Sequence, residues 1–141
     1  MDQNRREAER WLSTAERDME TARWLRGGEF FNTACFQAQQ AAEKALKAIL
    51  FSLGERGVRG HSSVALLNRC VTLVPEMERL RPDCRVLDRY YIPTRYPDAL
   101  PDENPHEAFG AEDADDAIRR ADNVLRAVKA AMASREPGAN P

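Results

Sequence analysis

Apolar residues recur at helical spacing along most of the chain, and the pattern is most regular over residues 30–53. The gaps there alternate between four and three positions through Phe31, Cys35, Ala38, Ala42, Ala45 and Ile49. This spacing predicts a helix whose single apolar stripe packs in a bundle. A second row of small side chains, Ala34, Ala41 and Ala48, would let a neighbouring helix approach closely.

Four other segments have the same kind of pattern. Two are long and cover residues 5–26 and 112–133, and a short one covers residues 82–91. The remaining segment begins around His61, where a serine can cap it, and stops at Pro75. No stretch alternates with a period of two, so no strand is predicted. We therefore expect one all-α domain, residues 1–133, with three long helices, followed by a disordered tail at residues 134–141.

A row of polar side chains follows another face of the second segment: Gln37, Gln40, Lys44 and Lys47. In one interpretation this face is solvated, and Glu43 pairs with Lys47 across one helical turn. In the other interpretation the two lysines face an anion. Because charged rows on helices are usually solvated, the row alone favours the first interpretation.

Composition and charge narrow the classes of function. Of 141 residues, 43% are hydrophobic and 31% are charged, as in ordinary globular proteins, and the net charge is −2. This charge disfavours broad, charge-driven binding to nucleic acid. The apolar runs are too short to cross a bilayer, and the N-terminus lacks the apolar stretch of a signal peptide. We expect a cytoplasmic protein without a membrane partner.

The cysteines and histidines give no sign of a metal site. Cys35, Cys70 and Cys84 are odd in number and widely spaced, and only His61 and His106 could join them as ligands. Cysteines on apolar helical faces usually behave as small buried hydrophobic residues. The sequence therefore predicts no disulfide framework, no metal and no cofactor.

The segment YYIPTRYPDALPDENP, residues 90–105, holds all three tyrosines of the chain. Pro93 and Pro97 prevent a helix from running through it, and each also disfavours helical dihedrals at the residue before it. An ordinary linker would be polar and would carry few rings. The segment is therefore either a structural plug for the bundle or a binding site.

Four blocks of the sequence together resemble the HEPN domain (higher eukaryotes and prokaryotes nucleotide-binding). They are WLSTAERDMETARWL at 11–25, ACFQAQQAAEKALKAIL at 34–50, HSSVALL at 61–67 and YYIPTRYPDA at 90–99. The resemblance implies an up-and-down bundle of four or five helices that forms a homodimer. It also implies a possible partner, a minimal nucleotidyltransferase, often within a toxin–antitoxin system.

Some HEPN proteins are metal-independent endoribonucleases whose site is an arginine followed, after four to six residues, by a histidine. Arg56 and His61 fit that spacing here. An arginine can neutralise phosphate charge, and a histidine can move a proton near neutral pH. In the ribonucleases, however, the motif lies late in the domain, whereas here it precedes the third helix. We therefore also expect that His61 simply packs or caps at the start of that helix.

The tyrosine-rich segment is the better candidate, for binding a nucleotide. Tyr91 and Tyr96 offer rings on which a base could stack, and Arg95 offers a planar fork for phosphate. Thr94 and Asp98 could bind a ribose or orient Arg95.

Two lysines could add to this site. Lys44 and Lys47 would supply positive charge if the fourth segment packs beside the second. In the alternative, the tyrosine rings are buried, an Arg95–Asp98 pair stiffens the turn, and the segment is scaffold, dimer interface or a docking surface for a partner. The sequence favours a binding module over an enzyme.

Overall fold

Three long helices form the body of the molecule. In the computed structural model, which describes residues 2–135, α1 covers Gln3–Gly27, α2 covers Phe31–Ser52 and α6 covers Ala111–Ala133. The helix α2 packs against both α1 and α6. The predicted all-α bundle is confirmed, and the region 2–135 contains no strand. Most of the predicted tail, residues 136–141, lies outside the described residues.

The alanine-rich α2 is buried around nearly its whole circumference. Both predicted rows pack inside, and their alanines are fully inaccessible: Ala34, Ala38, Ala41, Ala42, Ala45 and Ala48. Small side chains let helix axes approach closely, so α1 and α6 can both contact α2 along its length. Phe31, at the start of the predicted stripe, is only partly buried.

Two shorter helices cover one side of the bundle. Helix α3 spans Ser63–Leu73, a 3₁₀ turn spans Pro75–Leu80, and α4 spans Arg81–Asp88. Ser62 caps α3 as the sequence suggested, because its hydroxyl accepts a hydrogen bond from the Ala65 N–H at 3.1 Å. Asp88, from the end of α4, accepts two more from the N–H groups of Ser63 and Val64. The start of α3, directly after His61, is thereby fixed to the end of α4.

The tyrosine-rich segment lies across the α1–α2 end of the bundle. The Asn32 side chain, in the first turn of α2, donates to the Thr94 carbonyl at 3.0 Å. Tyr90 is buried and meets Phe109 edge to face at 5.9 Å. A 3₁₀ turn at Pro97–Ala99 and a one-turn helix, α5, at Pro105–Ala108 interrupt the predicted loop. Within the described residues, no helix is long and apolar enough to cross a membrane.

Candidate functional site

The guanidinium group of Arg95 lies among three aromatic rings. Its central carbon is 4.4 Å from the ring centroid of Phe36, 4.6 Å from that of Tyr91 and 5.0 Å from that of Tyr96. Its Nε also donates a hydrogen bond to the Tyr91 carbonyl at 2.8 Å. Ring faces attract a guanidinium through their quadrupoles and hold its plane in a fixed orientation. We call Phe36, Tyr91 and Tyr96 the aromatic clamp.

Arg95 differs from other arginines of similar burial. It is partly buried, and the other partly buried arginines each pair with a carboxylate: Arg5, Arg26, Arg69, Arg81 and Arg120. Between residues 2 and 135, Arg95 is the one without such a partner, and its terminal nitrogens make no hydrogen bond. Asp98 is exposed, and the described residues contain no Arg95–Asp98 ion pair. The planar fork of Arg95 is therefore open to an anionic ligand.

His61 joins the clamp through Tyr91. The two rings are stacked, with centroids 5.0 Å apart and planes inclined by 16°. The sequence suggested Arg56 with His61, or Arg95 with the tyrosines, as separate candidates. In the structure His61 and Arg95 both contact the Tyr91 ring. Arg56 is exposed in the loop before His61. In the described part of the chain Arg56 makes no ion pair, hydrogen bond or cation–π contact.

A buried polar row on α2 lies beneath His61. Gln39, Glu43 and Lys47 are 0%, 2% and 6% exposed. The His61 Nδ1 is 3.3 Å from Glu43 Oε1, and the Lys47 ammonium is 3.3 Å from Glu43 Oε2. The Gln39 amide donates to the His61 carbonyl at 3.2 Å. We call these three side chains the buried polar row.

The predicted Glu43–Lys47 pair is therefore present, but it is buried rather than solvated. The two residues are spaced by four positions, which suits an ion pair on any helix. Trp11 of α1 covers Lys47, whose ammonium lies 5.3 Å from the indole centroid. This cover is a contact between distant parts of the chain, so the sequence pattern of α2 alone could not reveal it.

Three other predicted site residues lie at the edge of the cluster or outside it. Lys44 pairs with Asp18 of α1 at 2.6 Å and so belongs to the contact between α1 and α2. Thr94 is buried, and its hydroxyl donates to the Tyr90 carbonyl. Asp98 is exposed in the turn after the clamp. None of the three touches the Arg95 guanidinium within residues 2–135.

The two predicted stacking rings differ in what they can offer. Tyr91 already contacts Arg95, His61 and Phe36, whose ring centroid is 6.2 Å away. Tyr96 is 50% exposed and touches Arg95. The outward surface of Tyr96 is therefore the better platform for a base, and Tyr91 serves mainly to hold Arg95 and His61.

Three exposed arginines lie close in sequence to His61 and Tyr91, although the chain as a whole is slightly acidic. Arg56 and Arg59, in the loop before His61, and Arg89, at the end of α4, are exposed. Inside the described region none of these three pairs with a carboxylate. Unpaired guanidinium groups in the segments that lead to His61 and Tyr91 favour a phosphate-bearing ligand.

Buried ionisable groups near the clamp are structural. Burial raises the pKa of Tyr90 to about 12, and nearby Cys35 and acidic side chains add smaller contributions in the same direction. Burial also raises the pKa of the Cys35 thiol to about 12. Both groups therefore stay protonated and neutral near pH 7, and neither is poised as a nucleophile.

Comparisons with known proteins agree with this fold. Residues 8–131 match the model of the HEPN domain. A protein of Methanocaldococcus jannaschii named "Putative toxin MJ1304" is 29% identical over 130 residues, covering 86% of this chain and 86% of that protein.

Two solved structures are similar over most of their length. TT1696 from Thermus thermophilus has a TM-score of 0.80 and 37% identity, covering 87% of this chain and 96% of that one. ST0689, described as an archaeal HEPN homologue, has a TM-score of 0.74 and 37% identity, covering 89% and 97%. The family model spans nearly the whole chain, and the chain belongs to the HEPN domain family.

Proposed function

We propose that this protein is a nucleotide-binding HEPN module that forms a homodimer and acts with a nucleotidyltransferase-type partner in a toxin–antitoxin system. Nucleotide binding is proposed because of the environment of Arg95. This side chain is partly buried, contacts three rings and has no carboxylate partner among residues 2–135. Phosphate is the natural partner of a planar guanidinium fork. His61, stacked on Tyr91, adds a hydrogen-bonding group to the same cluster.

In this proposal the ligand's phosphates contact Arg95 and its base lies on the open surface of Tyr96. Tyr91 and Phe36 hold the guanidinium plane, and Thr94 fixes the backbone of the turn through the Tyr90 carbonyl. Lys44 and Lys47 pair with Asp18 and Glu43, so in this proposal they do not contact the ligand directly and only add positive charge behind the site. Asp98 remains a candidate for the ribose because its carboxylate is exposed.

The test is ligand-induced thermal protection, followed by calorimetric titration with ATP, GTP and inorganic triphosphate. We expect ATP or GTP to raise the melting temperature of the wild-type protein and the Arg95→Ala variant to lose this protection. Arg6→Ala is the matched control, because Arg6 is exposed on α1 and makes no ion pair among the described residues. Equal protection in Arg95→Ala and wild type would refute the assignment. Triphosphate that binds as tightly as ATP would show that Tyr96 supplies no base stacking.

The toxin–antitoxin proposal is supported by the similarity to the Methanocaldococcus protein named "Putative toxin MJ1304". Controlled expression in a bacterial host should slow growth, and co-expression of a small nucleotidyltransferase from an adjacent gene should relieve the effect. Growth that is unaffected by either protein would contradict the assignment to a toxin–antitoxin system. Copurification of the two chains would support binding between this protein and the nucleotidyltransferase, whether or not the protein is toxic.

A second candidate function is favoured by the contact between His61 and Tyr91 beside Arg95. A histidine that moves a proton and an arginine that stabilises phosphate charge are the groups needed for RNA cleavage through its 2′-hydroxyl. The pair would be His61 with Arg95, rather than Arg56 with His61, since Arg56 makes no polar contact with the cluster in the described region.

Alanine variants distinguish the His61–Arg95 pair from the Arg56–His61 pair. If the purified protein cleaves RNA without metal, we expect His61→Ala and Arg95→Ala each to abolish cleavage and Arg56→Ala to leave it within about threefold of wild type. Loss of cleavage in Arg56→Ala with retention in Arg95→Ala would instead support the motif read from the sequence. An uncleaved RNA substrate in all cases leaves nucleotide binding as the function.

A further inference from the structure

We infer that Glu43 is a positioning residue that, from inside the bundle, holds the His61 imidazole so that Nε2 faces the ligand side of the clamp. The inference rests on the proposed nucleotide-binding function and adds to it a residue that touches no ligand. Glu43 is 2% exposed and lies within 3.3 Å of both His61 Nδ1 and the Lys47 ammonium.

The burial of Glu43 and Lys47 is poorly explained by stability alone. Removing two charges from water is costly, and well-packed apolar residues of similar volume often stabilise a core at least as well as a buried ion pair. Neighbouring positions of α2 are filled by Leu46, Ile49 and Leu50, all fully buried, so this helix packs apolar side chains readily. Stability alone therefore does not account for the Glu43 carboxylate. The exposed group that this carboxylate contacts is the His61 ring.

The contacts fix both the backbone and the ring of His61. The Gln39 amide donates to the His61 carbonyl at 3.2 Å, and its own oxygen accepts from Gln40 at 2.8 Å, which sets the orientation of that amide. Glu43 meets the ring from below, and Tyr91 stacks on its face at 5.0 Å. The imidazole, although its side chain is 61% exposed, is thus held by two side chains, and its backbone carbonyl by a third.

The chemistry of the carboxylate determines which nitrogen of the ring carries the proton. An ionised carboxylate only accepts hydrogen bonds, so Nδ1 must be the donor in the contact with Glu43. In the neutral ring, Nε2 is then the unprotonated nitrogen. Inside residues 2–135 Nε2 has no hydrogen-bond partner, so it is free to accept a hydrogen bond from a ligand.

The ring nitrogens can be observed directly by ¹⁵N NMR of the full-length protein at pH 9, where histidine is ordinarily neutral. The chain has two histidines, and His106→Gln assigns the signals of His61. We expect the Nδ1–H tautomer for His61 in the wild-type protein. An Nε2–H tautomer in the wild type would overturn the inference without any further variant.

The variant Glu43→Leu/Lys47→Leu removes both buried charges together and so leaves neither one unpaired. We expect His61 to shift towards the Nε2–H tautomer, which free histidine prefers, and ATP affinity to fall about tenfold. The control is Asp83→Asn, which removes another largely buried carboxylate, paired with Arg120 at 3.1 Å, without touching His61. The control should keep the tautomer and the affinity.

The outcomes separate the inference from the proposed function. An unchanged tautomer or unchanged ATP affinity in Glu43→Leu/Lys47→Leu, with loss of affinity in Arg95→Ala, would refute the role of Glu43 alone. Absence of ATP binding in the wild type would refute the proposed function, and the tautomer would still report whether Glu43 orients His61. A change of tautomer together with weaker binding supports both.

Discussion

At the scale of single residues, the aromatic clamp around Arg95 depends on the planarity of the guanidinium as much as on its charge. The central carbon lies within 5.0 Å of the ring centroids of Phe36, Tyr91 and Tyr96, and Nε is bonded to the Tyr91 carbonyl. A lysine would retain the charge but could neither stack in the same way nor present a fork to phosphate.

Arg95→Lys should therefore behave much like Arg95→Ala. We expect it to weaken ATP binding by about tenfold or more while changing the free energy of unfolding by less than about 1 kcal/mol. Calorimetric titration and urea unfolding of the same samples would check both values. Wild-type affinity in Arg95→Lys would mean that charge alone, without the fork, recognises the ligand.

The buried thiols set a limit on stability at alkaline pH. Burial, as the leading cause, raises the pKa of Cys35, Cys70 and Cys84 from 9.0 to about 12. Above pH 9 the unfolded chain loses thiol protons that the folded chain keeps, so the free energy of unfolding falls as pH rises. Each fully titrating thiol contributes a slope of up to about 1.4 kcal/mol per pH unit between pH 9 and 12.

Urea unfolding at pH 7.5, 9, 10 and 10.5 would measure this slope. Cys84→Ala should be less stable at pH 7.5 because of the cavity it leaves, and above pH 9 its loss of stability per pH unit should be smaller than in the wild type, so that the difference narrows. Parallel pH profiles for the two proteins would show that this thiol titrates alike in the folded and unfolded chains.

At the scale of secondary-structure elements, α3 depends on a carboxylate from another helix. Asp88 at the end of α4 accepts hydrogen bonds from the Ser63 N–H at 2.6 Å, the Val64 N–H at 3.2 Å and the Ser62 hydroxyl at 2.8 Å. These are N–H groups of the first turn of α3, which have no partner within the helix. A single side chain thus links the two helices next to His61.

Asp88→Ala should lower the free energy of unfolding by about 1–2 kcal/mol, as the loss of a helix cap does elsewhere. The Ser62 cap remains in the variant and keeps the effect from being larger. Urea unfolding measures the change, and Asp102→Ala, in the exposed stretch after the clamp, is the control for loss of one negative charge. A change no larger than that of the control would show that Asp88 does not stabilise α3.

The same elements show how far the sequence predicts this fold and where it stops. The stripe and the alanine row of α2 were recognisable because helical periodicity is local information, and both are buried as expected. The burial of Glu43 and Lys47 was not recognisable, because it depends on Trp11 and the loop before α3 covering them. Likewise, His61 and Tyr91 are 30 positions apart, and only the packing of α3 against α4 brings their rings together.

At the scale of the whole molecule, the clamp is built entirely within one chain. Phe36 comes from α2, and Tyr91, Arg95 and Tyr96 come from the segment after α4. His61 and Glu43 are likewise contacts within the chain. In the proposed homodimer each chain would therefore carry its own clamp.

We expect a solution mass near twice the 15.9 kDa of one chain, and one ATP bound per chain rather than one per dimer. Light scattering coupled to gel filtration gives the mass, and calorimetric titration of the same sample gives the stoichiometry. A monomer at all concentrations would contradict the proposed homodimer but leave the clamp intact. One ATP for every two chains would mean that the ligand spans the dimer axis and that the clamp of one chain is only half of the site.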